Sequence, residues 1–126
     1  MILGVGTDIV DVDKLRRLRV KWGDKLLKKI LTDKEKKYCL GHKNATLRVA
    51  ARFAAKESVV KALGGVSCRR FDFKDIEIVN ADSGKPHVVF HREIKEEVEA
   101  LNVKTHVSIS HTGNHATGFA VIEKNE

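Results

Sequence analysis

Residues 48–65, RVAARFAAKESVVKALGG, decide how the rest of the chain is read. Alanine recurs through the stretch and favours helix. Gly64 and Gly65 mark a C-terminal stop. One long helix is therefore expected. At about 100° per residue, Val49, Ala50, Phe53, Ala54 and Val60 cover one side, and Ala51, Ala55, Val59, Ala62 and Leu63 cover much of the rest. A helix that is apolar nearly all round is a buried helix. Its charges fall into two groups. Arg48, Arg52 and Lys56 stack at i, i+4 and i+8 as a basic stripe, while Glu57 and Lys61 share another face with Ala50, Phe53, Ala54, Val60 and Gly64. An exposed Glu–Lys pair at this spacing adds only about 0.2–0.5 kcal/mol to a helix. Buried charge is costly unless it is paired or bound to a metal, so Glu57 with Lys61 alongside also suits a metal–phosphate site. Both readings are open on this stretch alone.

The N-terminal segment supplies a second carboxylate. Residues 2–11, ILGVGTDIVD, read as a β-branched strand. By the two-residue period, Gly4, Gly6 and Asp8 fall on one face. Two positions without side chains leave room for something to approach Asp8. The plainer alternative is a turn or bulge with an Asp at its edge. Residues 12–22, VDKLRRLRVKW, read as an amphipathic helix whose apolar face is Leu15, Leu18 and Trp22. Lys14, Arg17 and Lys21 share a neighbouring basic face, which by default is solvated surface. After Gly23-Asp24, KLLKKIL forms a short helix that adds Lys25, Lys28 and Lys29. Thr32 and Glu35 have capping-box spacing and open a helix to about Leu40. Gly41 ends it, and Asn44 can cap the central helix.

The second half alternates strand and turn. Residues 66–74 are irregular, 75–80 read as a strand, 82–86 as a turn and 87–90 as its return. A helix over 91–101 carries Ile94, Val98 and Leu101 inward. Strands follow over 104–111 and 116–123, joined by a turn at 112–115. Val107, Ile109 and His111 share one face of the first, and His106, Ser108 and Ser110 the other. A lone His at such a strand end is more often structural than catalytic. None of the six His pairs at ligand spacing on a helix, so a His–metal site is not expected.

Composition bounds the rest. A chain of 126 residues, 42% hydrophobic and 33% charged, is expected to be one globular domain over residues 1–126. No linker, repeat or low-complexity run divides it. No apolar run approaches the about 18 residues of a membrane span, so no membrane partner is expected. MILGVGTDIVDV lacks a basic leader region. Cys39 and Cys68 lack metal or redox spacing. A cytoplasmic location is therefore expected. The net charge of +7 invites a polyanionic partner. With only 6% aromatic residues and no RNP-like or helix-turn-helix pattern, nucleic acid is the weaker candidate. An acidic protein or a phosphorylated small molecule fits the charge as well.

Several short motifs stand in order along the chain. They are Gly6-Thr7-Asp8-Ile9, RFAAKE at 52–57 with KALG at 61–64, DIEI at 75–78, GKP at 84–86 and SISH at 108–111. Each is weak alone. Together, in a chain this short, they resemble the phosphopantetheinyl transferases of the holo-acyl-carrier-protein synthase type, from Met1 to about Glu123. Departures are Ser58, where the family usually has Ala, the 66–74 loop with Cys68, and the 112–115 turn.

The resemblance implies an α+β fold, a small antiparallel sheet packed with a long buried helix and shorter helices. It implies a homotrimer with sites between subunits. It implies transfer of the 4′-phosphopantetheine arm of coenzyme A to a serine of apo-acyl carrier protein in fatty acid biosynthesis, with release of adenosine 3′,5′-bisphosphate. Mg²⁺ takes one or two carboxylates plus substrate phosphates, and Asp8 and Glu57 are the donors it would use. Lys61 would hold the phosphates or leaving group. Arg52, Lys56, Lys61, Gly64, Gly84, Lys85, Pro86, Ser110 and His111 would form the coenzyme A site. Lys14, Arg17, Lys21 and Lys25 would dock the acidic carrier protein. Glu57 itself, or a metal-bound water, could take the serine proton. The competing readings are a nucleic-acid module using the same basic surface, which leaves Asp8, Glu57 and Lys61 without a role, and a non-catalytic scaffold.

Overall fold

A computed structural model describes residues 1–64, 66 and 72–126. The atypical part of the 66–74 loop, including Cys68, and Gly65 of the helix stop lie outside the described residues. Strand β1 (Ile2–Asp11) leads into helix α1 (Val12–Trp22), α2 (Asp24–Ile30), α3 (Asp33–Leu40) and the long α4 (Ala45–Leu63). A 3₁₀ turn, Phe73–Asp75, precedes β2 (Ile76–Asn80), β3 (Pro86–Phe90), α5 (Arg92–Leu101), β4 (Val103–His111) and β5 (His115–Lys124). The expected single sheet is two antiparallel sheets, β1-β5-β4 and β2-β3.

The local signals act as their chemistry requires. The Asn44 side chain caps α4 by accepting from Leu47 N–H, and the Thr32/Glu35 capping box closes the start of α3. Asn102, in the left-handed conformation, ends α5. The turn between β2 and β3 holds Gly84 at φ 88°, which an L side chain rarely adopts.

Helix α4 is the centre. Val49, Ala50, Ala54, Ala55 and Val59 on it are wholly buried, as an all-round apolar helix should be. It lies against β1 and β5 at backbone contact. A Cβ on Gly4 would stand 1.9 Å from the Ala62 carbonyl oxygen, one on Gly6 2.0 Å from that of Ser58, and one on Gly118 2.3 Å from that of Ala54. The room beside Asp8 is therefore filled by the chain's own helix, not by a ligand. Gly118 belongs to the same cradle, and an isolated Gly in a strand is the signal for such an approach.

Two expectations about side chains change. On α1 the buried residues are Val12 and Leu15, whereas Leu18 and Trp22 are exposed. On α4, Lys56 parts from the basic stripe of Arg48 and Arg52, because it is wholly buried and paired. Its ammonium pairs with the buried Glu35 carboxylate and donates to the carbonyls of Ile30 (2.7 Å) and Phe73 (3.0 Å). Glu35 also accepts from Thr32 N–H (2.9 Å) and Ile78 N–H (2.9 Å). This network ties α2, α3, α4 and β2 together. Burial lowers the Lys56 pKa, and the Glu35 charge works against that shift. Among the described residues no helix is long and apolar enough to cross a membrane.

Candidate active site

Two polar clusters flank α4. The first lies where β1 passes the helix. Lys61 Nζ donates to Thr7 O (2.9 Å) and to Asp8 Oδ1 (3.0 Å). Asp8 and Glu57 together line a 420 Å³ cleft with Phe53 and, from α1, Lys14, Leu15 and Leu18. Glu57 is half-buried rather than enclosed, and Lys61 is exposed. Burial, and after it the charge of Asp8, push the Glu57 carboxyl above its ordinary range, with Lys61 pulling the other way. Two carboxylates thus face one cleft closely enough to repel. Two carboxylates carry more negative charge than Lys61 alone offsets, which suits a divalent cation, and Mg²⁺ asks for only one or two carboxylates. Among the described residues no group of three acidic, His or Cys side chains forms a closed metal cage. The donor set fits a hard cation that shares its shell with substrate oxygens, not a structural metal.

The second cluster lies at the turn between β2 and β3. A 180 Å³ cavity there is lined by Tyr38, Arg48, Ala51, Arg52, Asn80, Gly84, Pro86, Ile109 and His111. Arg52 is held from two sides. Its Nη1 donates to Asn80 Oδ1 (3.0 Å), and its guanidinium stacks over the Tyr38 ring at 4.3 Å. Asn80 in turn donates to Tyr38 Oη (3.1 Å). Among the described residues the buried Arg52 Nε has no hydrogen-bond partner. His111 stands exposed at the end of β4. Across the turn, a 620 Å³ cavity takes in Lys85, Pro86, His87, His106 and Ser108.

Asp8, Glu57 and Lys61 are therefore brought together, and so are Arg52, Gly84, Pro86 and His111. Lys85 borders the neighbouring cavity. Ser110 is exposed beside His111, its carbonyl accepting from Thr117 Oγ1 (3.3 Å). Gly64 closes α4, donating to Val60 O and Lys61 O. Lys56 is the exception, since its ammonium is consumed inside the core. Tyr38 and Asn80 were not marked by any sequence pattern, because their role depends on stacking and bonding across elements distant in the chain. The two clusters do not face each other. Arg52 and Lys61, and likewise Arg48 and Glu57, are nine positions apart on one helix, which turns them about 180° from each other.

On α1, Lys14 reaches the carboxylate cleft, and Arg17 lies on the exposed surface with Asp13, Arg16 and Val20. Lys21 Nζ sits 5.3 Å over the Trp22 ring. Lys25 is exposed at the start of α2.

The 4′-phosphopantetheinyl transferase superfamily model matches residues 4–120. A holo-[acyl-carrier-protein] synthase of Protochlamydia amoebophila is 39% identical over 121 residues, 96% of this chain and 98% of that protein. The Neisseria meningitidis holo-[acyl-carrier-protein] synthase structure superposes with a TM-score of 0.90 at 31% identity, covering 98% of this chain and 100% of that one. The Bacillus anthracis synthase, solved in complex with CoA (3′,5′-ADP), gives a TM-score of 0.81 at 34% identity over 99% of both chains.

Proposed function

The chain belongs to the 4′-phosphopantetheinyl transferase superfamily, as an enzyme of the holo-[acyl-carrier-protein] synthase kind, and from that premise we propose how its own residues carry the reaction. A serine Oγ of apo-acyl carrier protein attacks the phosphorus of coenzyme A that bears the pantetheine arm. The bond from that phosphorus to the bridging oxygen breaks, and adenosine 3′,5′-bisphosphate leaves with the electron pair. The observation that carries this reading is the cleft with Asp8 and Glu57 on one wall and basic α1 at its mouth.

Asp8 and Glu57 would hold Mg²⁺, whose charge offsets that of the pyrophosphate oxygens. Lys61, already fixed against Thr7 O and Asp8, places an ammonium beside the departing phosphate. Glu57, or a water held beside it, accepts the serine proton. Arg52 and His111 receive nucleotide phosphates, and the 84–86 turn receives the adenosine end. Lys14, Arg17, Lys21 and Lys25 dock the acidic carrier. The pathway served is fatty acid synthesis in the cytoplasm.

The assembly we propose is a homotrimer in which one subunit's carboxylate cleft meets a neighbour's nucleotide cavity. The opposed directions of the two clusters on α4 support it. So does the open face of β1-β5-β4, where Val5 (56%), Ile9 (65%) and Phe119 (46%) are exposed side by side. Subunit contact buries such a face.

The test is incubation with coenzyme A, Mg²⁺ and apo-acyl carrier protein, followed by mass spectrometry of the carrier. The carrier should gain one phosphopantetheine mass, and adenosine 3′,5′-bisphosphate should accumulate in equal amount. A carrier of unchanged mass would overturn the reading.

A further inference from the structure

Helix α4 grips Phe73, at the entry to β2, at two points. The Phe73 ring meets the Phe53 ring edge-on, with centroids 5.5 Å apart and planes at 60°. Three residues on from Phe53, the Lys56 ammonium donates to the Phe73 carbonyl at 3.0 Å. Phe73 is held from its own side as well. It opens the 3₁₀ turn Phe73–Asp75, in which the Asp72 carboxylate accepts from Lys74 N–H (3.1 Å) and the Asp75 carboxylate accepts from Asp72 N–H (3.2 Å). Arg92, at the start of α5, donates to Asp75 in turn. Arg92 does so at φ 57°, a conformation that an L residue adopts at a cost. The Phe73 ring is therefore fixed from α4, from its own turn and from α5.

What the ring supports lies beyond Phe53. Both rings are half-buried and pack on the core that holds Leu15, Leu27 and Ile30. Of the two, Phe53 lines the carboxylate cleft and Phe73 stands behind it. Glu57 follows Phe53 by one turn of α4, and Leu15 and Leu18 of α1 continue the apolar wall. A carrier serine that reaches Glu57 from the docking helix α1 passes along that wall. An aromatic side chain set between an open cleft and a core has more than one staggered position to choose from. An edge-to-face partner selects one of them. Without the Phe73 edge, the Phe53 ring is free to turn back into the vacated space and leave the wall. The donor's nucleotide end is not touched by this, because the residues assigned to it lie on the opposite side of α4.

We propose that Phe73 is a positioning residue for the acceptor: it touches neither substrate, holds the Phe53 ring in the cleft wall, and thereby sets how well the carrier serine is delivered to Glu57. The proposal rests on the reading of acyl carrier protein as acceptor, and it gives Phe73 no part in binding coenzyme A.

Steady-state kinetics with each substrate varied in turn tests this. Phe73→Leu keeps an apolar side chain in place and removes the ring edge. It should raise KM for the carrier roughly two- to tenfold, the worth of an edge-to-face pair. KM for coenzyme A, and its affinity by calorimetry, should stay at wild type. Partial unfolding does not imitate this split, because a smaller active fraction lowers apparent kcat and leaves both KM values alone. Phe73→Met, also apolar and without a ring, is the second variant and should show the same split. Phe53→Leu should raise carrier KM to a similar extent, and Phe53→Leu with Phe73→Leu should add little to either single change, as coupling through one contact requires. Wild-type carrier KM in folded Phe73→Leu or Phe73→Met, or single effects that multiply in the double variant, would overturn the proposal. So would an equal rise in KM for coenzyme A, since Phe73 would then shape the whole site. If wild-type protein transfers no phosphopantetheine to the carrier, the acceptor reading falls and this inference with it; if wild type transfers it and the split is absent, only this inference falls.

Discussion

Lys56 and Glu35 meet in the interior with neither side chain exposed, an ammonium and a carboxylate joined where α4 crosses α3. Breaking a buried pair by removing one partner typically costs about 3–5 kcal/mol, because the other charge is left uncompensated. Lys56→Met should lower the urea midpoint accordingly, and Lys56→Met with Glu35→Leu should recover part of the loss. Recovery stays incomplete because Glu35 also accepts from Thr32 N–H and Ile78 N–H. A Lys56→Met protein with an unchanged midpoint and a raised KM for coenzyme A would return Lys56 to the nucleotide site.

Gly118→Ala should be badly tolerated. Its Cβ would lie 2.3 Å from Ala54 O and 2.7 Å from Ala55 N, both backbone atoms that cannot turn aside. Overpacking of this kind costs about 1–3 kcal/mol. Gly113→Ala, with no atom of the described residues within 4 Å of the added carbon, is the control and should melt near wild type. Equal melting temperatures for the two variants would mean that α4 does not sit in this cradle.

The raised Glu57 pKa sets a pH dependence. In chelator-treated protein the folded state binds a proton that the unfolded state, with Glu57 at its ordinary value of 4.5, has already released. Stability should therefore fall as pH rises from 4.5 through the folded value, and the penalty persists above it. Glu57→Gln should remove that part of the slope and be the more stable protein at neutral pH, with the difference vanishing below 4.5. Added Mg²⁺ should raise the melting temperature of wild type and not of the variant. Asp8→Asn and Glu57→Gln should each lose most turnover while remaining folded. Parallel pH curves for wild type and Glu57→Gln would remove the carboxylate repulsion on which the metal assignment leans.

Reversing Lys14, Arg17 and Lys21 to Glu should raise KM for the carrier protein and leave that for coenzyme A nearly unchanged. Wild-type KM for the carrier should worsen with added salt, as it does for exposed charges that steer encounter. A triple variant with wild-type carrier KM would leave this face as solvated surface.

Mixing tests the shared site. Asp8→Asn damages the carboxylate cleft and His111→Ala the nucleotide cavity. Co-refolded, they should recover part of the activity, because some interfaces in mixed trimers pair two intact halves. Activity equal to the average of the two parents, with subunit exchange verified by native mass spectrometry, would mean that each chain builds its own site.

The sequence carried the local signals well. Caps at Thr32 and Asn44, the alternation in β2 to β5 and the all-round apolar helix each depend on residues a few positions apart, and each appears within three residues of its expected bounds. What failed depends on which neighbour arrives. Lys56 is spaced like Arg52 on the helix, but Glu35 and the carbonyls of Ile30 and Phe73 surround it, and no periodicity encodes them. Gly4 and Gly6 announced a close approach correctly, while the identity of the approaching group required knowing how α4 folds back on β1. Leu18 and Trp22 have helical spacing suited to a core, yet α1 buries Val12 and Leu15 instead.

Helix α4 also limits how the chain can change length. Along it, Ala54, Ser58 and Ala62 meet glycines on two strands, and Lys61 reaches Thr7 and Asp8. One residue inserted between Arg52 and Glu57 would turn everything beyond it by about 100° and shift it by about 1.5 Å. Lys61 would leave Asp8, and side chains would replace bare carbonyls against Gly4 and Gly6. Insertions can be absorbed in the exposed turn between β4 and β5, but not here. Aligned relatives should therefore place gaps in that turn and keep the spacing from 52 to 61 fixed.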